Sequence, residues 1–164
     1  MASGTPDAPA PKEPKLLQLV TFRLGEEEYA LDILTVRDIN RMMEITRVPR
    51  APDFIEGVVN LRGNVIPVLD LRKRFGLPPR ERDKSTRIIV TEVGSRVVGF
   101  IVDMVKEVLR IRSDTVEPPG EITGVDAEYI LGVGKVEDRL LILLDVDKVL
   151  TRKEKQVLEE KPGP

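Results

Sequence analysis

The sequence predicts a mainly β protein with two similar lobes, each built from about five short strands and a terminal helix. Val, Ile and Leu must form its core, because 41% of the 164 residues are hydrophobic, only 4% are aromatic and Trp is absent. β-Branched side chains favour strands. Short apolar segments are separated by turn residues, and their order in the second half of the chain repeats that in the first. Small sheets of this kind usually close into barrels, since closure removes exposed strand edges.

The repeat appears when the chain is aligned with itself. Residues 54–75 align without gaps to residues 129–150, so that a strand glycine and an aspartate at the start of a helix recur in the same places. At a slightly shorter offset, the hairpin glycine Gly25 falls on Gly94. Two related lobes predict a groove between them, and an apolar groove suits a partner helix or peptide.

Turn and cap residues predict the elements of the first half. The first 15 residues contain four Pro and little apolar surface, so we expect a disordered arm over residues 1–15. The elements that follow are a hairpin over 16–33 turning at Gly25-Glu26, a short helix-compatible segment over 33–39, a segment over 42–49 that ends at Pro49, a strand, turn and strand over 51–71 turning at Arg62-Gly63-Asn64, a short helix over 71–76 capped by Asp70, and an exposed linker over 77–85.

The second half is expected to repeat this order. Its predicted elements are a hairpin over 87–103 turning at Gly94-Ser95, a strand over 105–112, a turn-rich loop over 113–128, a hairpin over 129–146 turning near Glu137-Asp138, and a helix from Asp145 to about Glu160. We therefore expect a first lobe over about 16–85 and a second over about 86–152, followed by a helix end and tail over 153–164.

Composition narrows the class of function. The chain has no His and no Cys, which excludes Ser-His-Asp and Cys-His catalysis, phosphohistidine transfer and thiolate zinc sites. The net charge of −2 does not favour general nucleic-acid binding. No apolar run is long enough to span a membrane, and residues 1–15 lack the apolar core of a signal peptide. We expect a cytoplasmic binding protein without a metal or cofactor; an enzyme that works with carboxylates or Lys is less favoured but stays open.

Few residues stand out as candidate sites. Arg62 lies at a predicted tight turn, where it is either a solvated turn residue or a planar donor to a partner carboxylate. Asp70 and Asp145 each stand where a strand passes into a helix, so N-capping explains them better than a metal site does. The basic stretch over 72–87 is diluted by acidic residues and favours a solvated surface over RNA binding.

Four segments of the chain stand out as a set: FRLGEEEYALDILTVRDI (22–39), GVVNLRGNVIPVLDLRKRFG (57–76), RVVGFIVDMVKEVL (96–109) and EYILGVGKVEDRLLILLDVDKVL (128–150). In this order they resemble the CheW-type chemotaxis coupling proteins. The resemblance covers the chain from about Leu17 to Thr151. It implies two SH3-like five-stranded barrels and a stand-alone coupler, because no catalytic, phosphotransfer or receiver segment is present.

The resemblance also implies partners and contact residues. It predicts a scaffold that bridges the cytoplasmic tip of methyl-accepting chemoreceptors to the regulatory domain of a CheA-type histidine kinase, is recruited to membrane-associated receptor arrays, and is a monomer when free. The implied receptor-contact residues are Ile33, Val36, Asp38, Ile39, Gly57, Asn60 and Arg62. The implied kinase-contact residues are Met42, Met43, Glu44 and Ile45. A second contact in the ring of couplers and kinases is expected in the loop 117–122, at Glu117, Glu121 and Ile122.

Two alternatives stay open, the first implied by the resemblance and the second by the residues themselves. A coupler of the same type serves equally well in a chemosensory pathway for surface motility or development, and one sequence does not separate these pathways. A carboxylate-dependent enzyme or an RNA-binding SH3-like protein belongs to another class, and the lack of His, Cys and Trp argues against both.

Overall fold

The computed structural model describes residues 15–119 and 127–160, which form eleven strands in two sheets. Sheet A has the strand order β8-β1-β2-β11-β10-β9, and sheet B has the order β3-β6-β7-β5-β4. The strands are β1 Leu16–Leu24, β2 Glu27–Asp32, β3 Val36–Arg41, β4 Gly57–Leu61, β5 Asn64–Asp70, β6 Arg87–Val93, β7 Arg96–Val102, β8 Met104–Arg112, β9 Val116–Glu117, β10 Ile130–Val136 and β11 Arg139–Leu144. The predicted mainly β class is confirmed.

Three α-helices complete the described part of the chain: α1 Leu71–Arg74, α2 Val146–Val149 and α3 Arg152–Glu160. The predicted caps are confirmed, because the Asp70 carboxylate accepts a hydrogen bond from the Arg72 backbone N–H, and Asp145 accepts one from that of Asp147. The expected arm over residues 1–15 lies outside the described residues except for Lys15.

Each sheet combines strands from both halves of the chain. The hairpin β1–β2 pairs with β8 on one side and lies parallel to β11 on the other. The hairpin β6–β7 pairs in the same way with β3 and β5. The repeat is therefore present in the structure, but the first hairpin of each half lies in the sheet formed by the remaining strands of the other half. We call this arrangement an exchange of hairpins. The sheets do not follow the expected division of the chain near residues 85 and 86, and the two-residue β9 gives sheet A a sixth strand.

Two predicted helical segments differ in the structure. The helix-compatible segment over 33–39 is a 3-10 turn at Ile33–Thr35 followed by the start of β3, because its β-branched residues pair with β6. The helix expected from Asp145 to Glu160 is divided into α2 and α3. Leu150 is extended between them, and Thr151 caps α3 by exchanging hydrogen bonds of 2.9 and 3.1 Å with Glu154.

The largest core cluster joins the two sheets. Phe22 and Tyr29 of sheet A stack in series with Phe75, with ring centroids 5.8 Å apart at each step. Phe100 and Ile89 of sheet B lie in the same cluster. A smaller apolar cluster forms the core of each sheet, around Val68 and Ile88 in sheet B and around Leu19 and Leu141 in sheet A. The molecule thus consists of two curled sheets that share one apolar seam.

Candidate protein-interaction cleft

An open cleft of about 1050 Å³ lies against sheet B. Its walls come from the segment between β3 and β4, from β4 and β5 with their turn, and from the turn between β6 and β7. They are mainly apolar: Val48, Pro49, Ala51, Pro52, Ile55, Val58, Leu61, Val65, Ile66, Pro67, Val90, Val97 and Val157. The charged lining residues are Arg37, Asp38, Arg50, Arg62 and Arg96, so positive charge predominates. An apolar site with a basic rim suits an acidic, partly apolar partner segment.

Asp38 and Arg62 meet at this cleft although they lie on different strands and turns. Their nearest atoms, Asp38 Oδ2 and Arg62 Nη2, are 3.7 Å apart. A bulge between Val36 and Asp38 interrupts the pairing of β3 with β6, and the Ile39 backbone N–H donates to Asp38 Oδ1 at 2.9 Å. The Arg62 side chain is 79% exposed. Such a long, exposed ion pair contributes roughly 0–1 kcal/mol to stability, so the guanidinium remains accessible to a partner.

The β4–β5 turn explains why Arg62 projects outward. Leu61 pairs with Asn64, which leaves Arg62 and Gly63 as a two-residue loop with φ of 55° and 87°. Positive φ at both central residues is typical of a type I′ hairpin turn. The Asn60 side-chain carbonyl accepts a hydrogen bond of 2.9 Å from the Gly63 backbone N–H and stabilises this turn. Turn chemistry thus accounts for Asn60 and Gly63, but it does not require arginine at position 62.

Gly57 has a packing role rather than a place in the cleft wall. A Cβ added there would lie 2.5 Å from Ile45 Cγ2 and 2.5 Å from the Thr46 carbonyl oxygen. The missing side chain lets Thr46 pair with Val58, through backbone hydrogen bonds of 2.9 Å in each direction. Gly132 allows the corresponding approach of Val116 and Glu117 to β10.

The remaining expected receptor-contact residues lie outside the cleft lining. Ile33 is half-buried in the 3-10 turn, Val36 packs against the shared seam, and Ile39 is exposed on β3. Asp38 and Arg62 are therefore the members of the predicted set that the structure brings together at the cleft. The prediction missed the segment Val48–Ile55 and Val157 of α3. The apolar pattern predicted the start of a strand at residues 51–55, whereas the structure has a loop there before β4 begins at Gly57.

Comparison with known proteins decides the family. The CheW-like domain family matches residues 18–154. This chain belongs to the CheW-like family. Chemotaxis protein CheW of Klebsiella aerogenes is 40% identical to this chain over 143 residues, which span 87% of this chain and 86% of the relative. Chemotaxis protein CheW of Helicobacter pylori is 37% identical over 138 residues, with 84% of each chain covered.

A solved CheW structure supports the same assignment. The scaffolding protein TtCheW from Thermoanaerobacter tengcongensis superimposes with a TM-score of 0.77 and 39% sequence identity, covering 87% of this chain and 92% of that protein. The recognition of a CheW-type sequence and the expectation of two SH3-like lobes are both confirmed.

The expected kinase-contact residues lie just beyond β3 in this CheW-like chain. Met42, Met43 and Ile45 are half-buried and pack against the core cluster of sheet B, whereas Glu44 is exposed. Three of these four side chains therefore also support the fold. Among these four residues, a substitution of Glu44 disturbs the packing least and so gives the clearest test of the expected kinase contact.

The expected second ring contact is only partly described. Glu117 lies in β9, is exposed, and approaches Lys135 Nζ at 3.6 Å. Glu121 and Ile122 lie outside the described residues. No helix among the described residues is both long and apolar enough to cross a membrane.

Proposed function

We propose that this CheW-like protein is a non-enzymatic scaffold that couples methyl-accepting chemoreceptors to a CheA-type histidine kinase in chemotaxis. The observation that carries the proposal is the cleft on sheet B, where the sequence-predicted residues Asp38 and Arg62 meet beside apolar walls. The family relationship and the relatives' names as chemotaxis proteins support the same role.

The cleft suits reversible assembly. Its apolar walls provide a driving force that salt does not screen, and its arginines add orientation and speed of association. Individually moderate contacts become effective when many copies are held together in an array at a membrane. A scaffold acts by positioning the kinase against the receptor, so it needs no reactive group. The protein would then work in the cytoplasm beneath receptor arrays.

The kinase is proposed to bind at the segment from Met42 to Ile45. This segment lies between β3, which carries Asp38, and the Val48–Ile55 part of the cleft wall. Continuity along the chain gives a physical route by which an event at the cleft alters the kinase contact. The loop after Glu117 is proposed as the second contact in a ring with the kinase.

The experiment that tests the receptor contact uses Arg62→Ala. Binding to a soluble cytoplasmic fragment of a methyl-accepting receptor should weaken on the order of fivefold, because an exposed interfacial charge contributes up to about 1 kcal/mol. The melting temperature should stay unchanged, since the side chain is mostly solvated. Arg110→Ala, at an exposed position on β8 of sheet A, is the matched control. Equal receptor binding by wild type and Arg62→Ala would contradict the assignment of the cleft.

A further inference from the structure

A second arginine, Arg50, lines the same cleft in an unfavourable backbone conformation. Its φ is 65°, and the Ala51 backbone N–H donates to the Val48 carbonyl at 3.1 Å. Pro49 and Arg50 are thus the central residues of a β-turn whose third residue has positive φ, the pattern of a type II turn. Gly and Asn suit that third position, whereas a long side chain with a Cβ is strained there.

The turn is held rigidly in place. Pro49 restricts its first central residue, and Pro52 begins the next turn, which is closed by a hydrogen bond of 3.0 Å from the Ile55 N–H to the Pro52 carbonyl. The side chains of Val48, Pro52 and Ile55 line the apolar wall. The wall and the Arg50 backbone are therefore parts of one preorganised segment.

Arg50 also differs from its charged neighbours in its contacts. Arg37 pairs with Glu92 at 3.1 Å, and Arg62 approaches Asp38 at 3.7 Å. Arg50 is exposed, and within the described part of the chain its guanidinium makes no ion pair. Of the non-glycine residues with positive φ among those described, Arg50 and Arg62 line this cleft. Backbone strain that packing does not explain points to a functional use.

We infer that Arg50 is a specificity-determining residue of the cleft, which pairs with a carboxylate on the partner segment whose apolar residues enter the cleft beside it. The inference rests on the proposed function and names the chemistry of the partner: an Asp or Glu flanked by apolar residues on the receptor tip. The guanidinium offers a planar set of donors that matches a carboxylate, and the rigid turn lowers the entropy lost when the contact forms.

The test compares Arg50→Asn with Arg47→Asn. Asn suits positive φ, so Arg50→Asn should relieve strain while it removes the charge. Arg47 is exposed, lies three residues away, and is absent from the cleft lining, so its substitution makes the same charge change elsewhere. The measurements are the affinity for the soluble receptor fragment at about 50 and 300 mM salt, chosen to span strong and weak screening, and the melting temperature.

Arg50→Asn should bind the fragment on the order of fivefold more weakly than wild type and lose less affinity with added salt. Its melting temperature should be unchanged or higher by about 2 °C. Arg47→Asn should match wild type in fragment binding. Neutralising the acidic residues of the fragment one at a time should identify one whose removal makes wild type and Arg50→Asn bind equally.

Other results would overturn the inference in distinguishable ways. If wild type binds the fragment and Arg50→Asn binds it equally well, the role of Arg50 is refuted while the proposed function stands. An Arg50→Asn variant that binds weakly but also melts at lower temperature has lost a structural contact, which refutes the inference as well. A change in self-association by analytical ultracentrifugation, with fragment binding intact, would assign Arg50 to contacts between copies of this chain. If wild type does not bind the fragment, the proposed function itself fails.

Discussion

At the scale of single residues, a positive φ has different explanations at different positions. Gly63 uses positive φ for a hairpin turn, whereas Arg50 and Arg62 adopt it although arginine is not suited to it. Sequence alone identified Arg62, because an Arg-Gly-Asn string between two apolar runs predicts a turn. It did not identify Arg50, because the φ of a residue between two prolines cannot be derived from residue types.

Gly57 provides a prediction at this scale. Gly57→Ala should lower the free energy of unfolding by about 3 kcal/mol, because the new Cβ would overlap both the Ile45 side chain and the Thr46 backbone. Gly57→Asp should be worse, since it also buries a charge. Gly134→Ala is the control in an equivalent strand, where the nearest atom to a new Cβ is the flexible end of Ile111 at 3.1 Å. Urea unfolding measures both, and equal stabilities for the two alanine variants would contradict this packing role.

At the scale of elements, Asp103 joins the connection between β7 and β8 to three other parts of the chain. Its carboxylate accepts hydrogen bonds from the Arg72 side chain at 2.8 and 2.7 Å, the Gly25 backbone N–H at 2.7 Å and Arg80 at 3.1 Å. Burial alone would raise the pKa of the Asp103 carboxyl, but these bonds and the nearby cations hold the pKa below its usual value. This cluster ties the β1–β2 turn of sheet A to α1 and to the linker, which follow β5 of sheet B.

The Asp103 cluster predicts a pH dependence of stability. Asp103→Asn should lower the free energy of unfolding by about 2–4 kcal/mol at pH 7, because it leaves the mostly buried Arg72 without its counter-charge. The folded pKa lies below the unfolded one, so this contribution is present above about pH 4 and is lost as the pH falls further. The difference between wild type and variant should therefore shrink in urea unfolding near pH 3.

Asp114→Asn is the control for this prediction. Asp114 is about half exposed and bonds to Arg112, two residues away, so the control should change stability by less than about 0.5 kcal/mol. A wild-type advantage over Asp103→Asn that stays constant from pH 7 to pH 3 would contradict the charged role of Asp103.

Turn and cap residues predicted most strands and turns correctly, but they did not predict which distant side chains come into contact. Turns at Gly25, Gly63 and Gly94 were predicted correctly because Gly marks tight turns between apolar strands. The linker over 77–85 was predicted as exposed, yet its Arg80 reaches the largely buried carboxylate of Asp103. Which distant carboxylate an arginine reaches depends on tertiary packing, and residue spacing in the sequence does not encode it.

At the scale of the whole molecule, exchange of the two hairpins makes each sheet depend on both halves of the chain. The parallel pairs β2–β11 and β5–β7 join strands of the first half of the chain to strands of the second. The repeat was visible in the sequence, but two copies side by side and two copies with exchanged hairpins have the same hydrophobic pattern. Only the long-range strand pairing separates these arrangements.

The exchange predicts how a divided chain behaves. Fragments 1–79 and 80–164, made separately, should each lack cooperative thermal unfolding, because neither contains all strands of a sheet. Mixed in equal amounts, they should associate and recover a cooperative transition, since the break lies in an exposed linker. Calorimetry of each fragment and of the mixture measures this. A cooperative transition in either fragment alone would show that one half folds independently.

The measurement that tests the central proposal most directly is kinase activity in a reconstituted receptor assembly. Receptor cytoplasmic fragments held on vesicles, a CheA-type kinase and this protein are combined, and ATP-dependent kinase autophosphorylation is followed with each component omitted in turn. We predict that strong activation requires all three, that the protein co-sediments with both partners, and that Arg62→Ala reduces activation whereas Arg110→Ala does not. Full activation without this protein, or its failure to bind either partner, would contradict a coupling role.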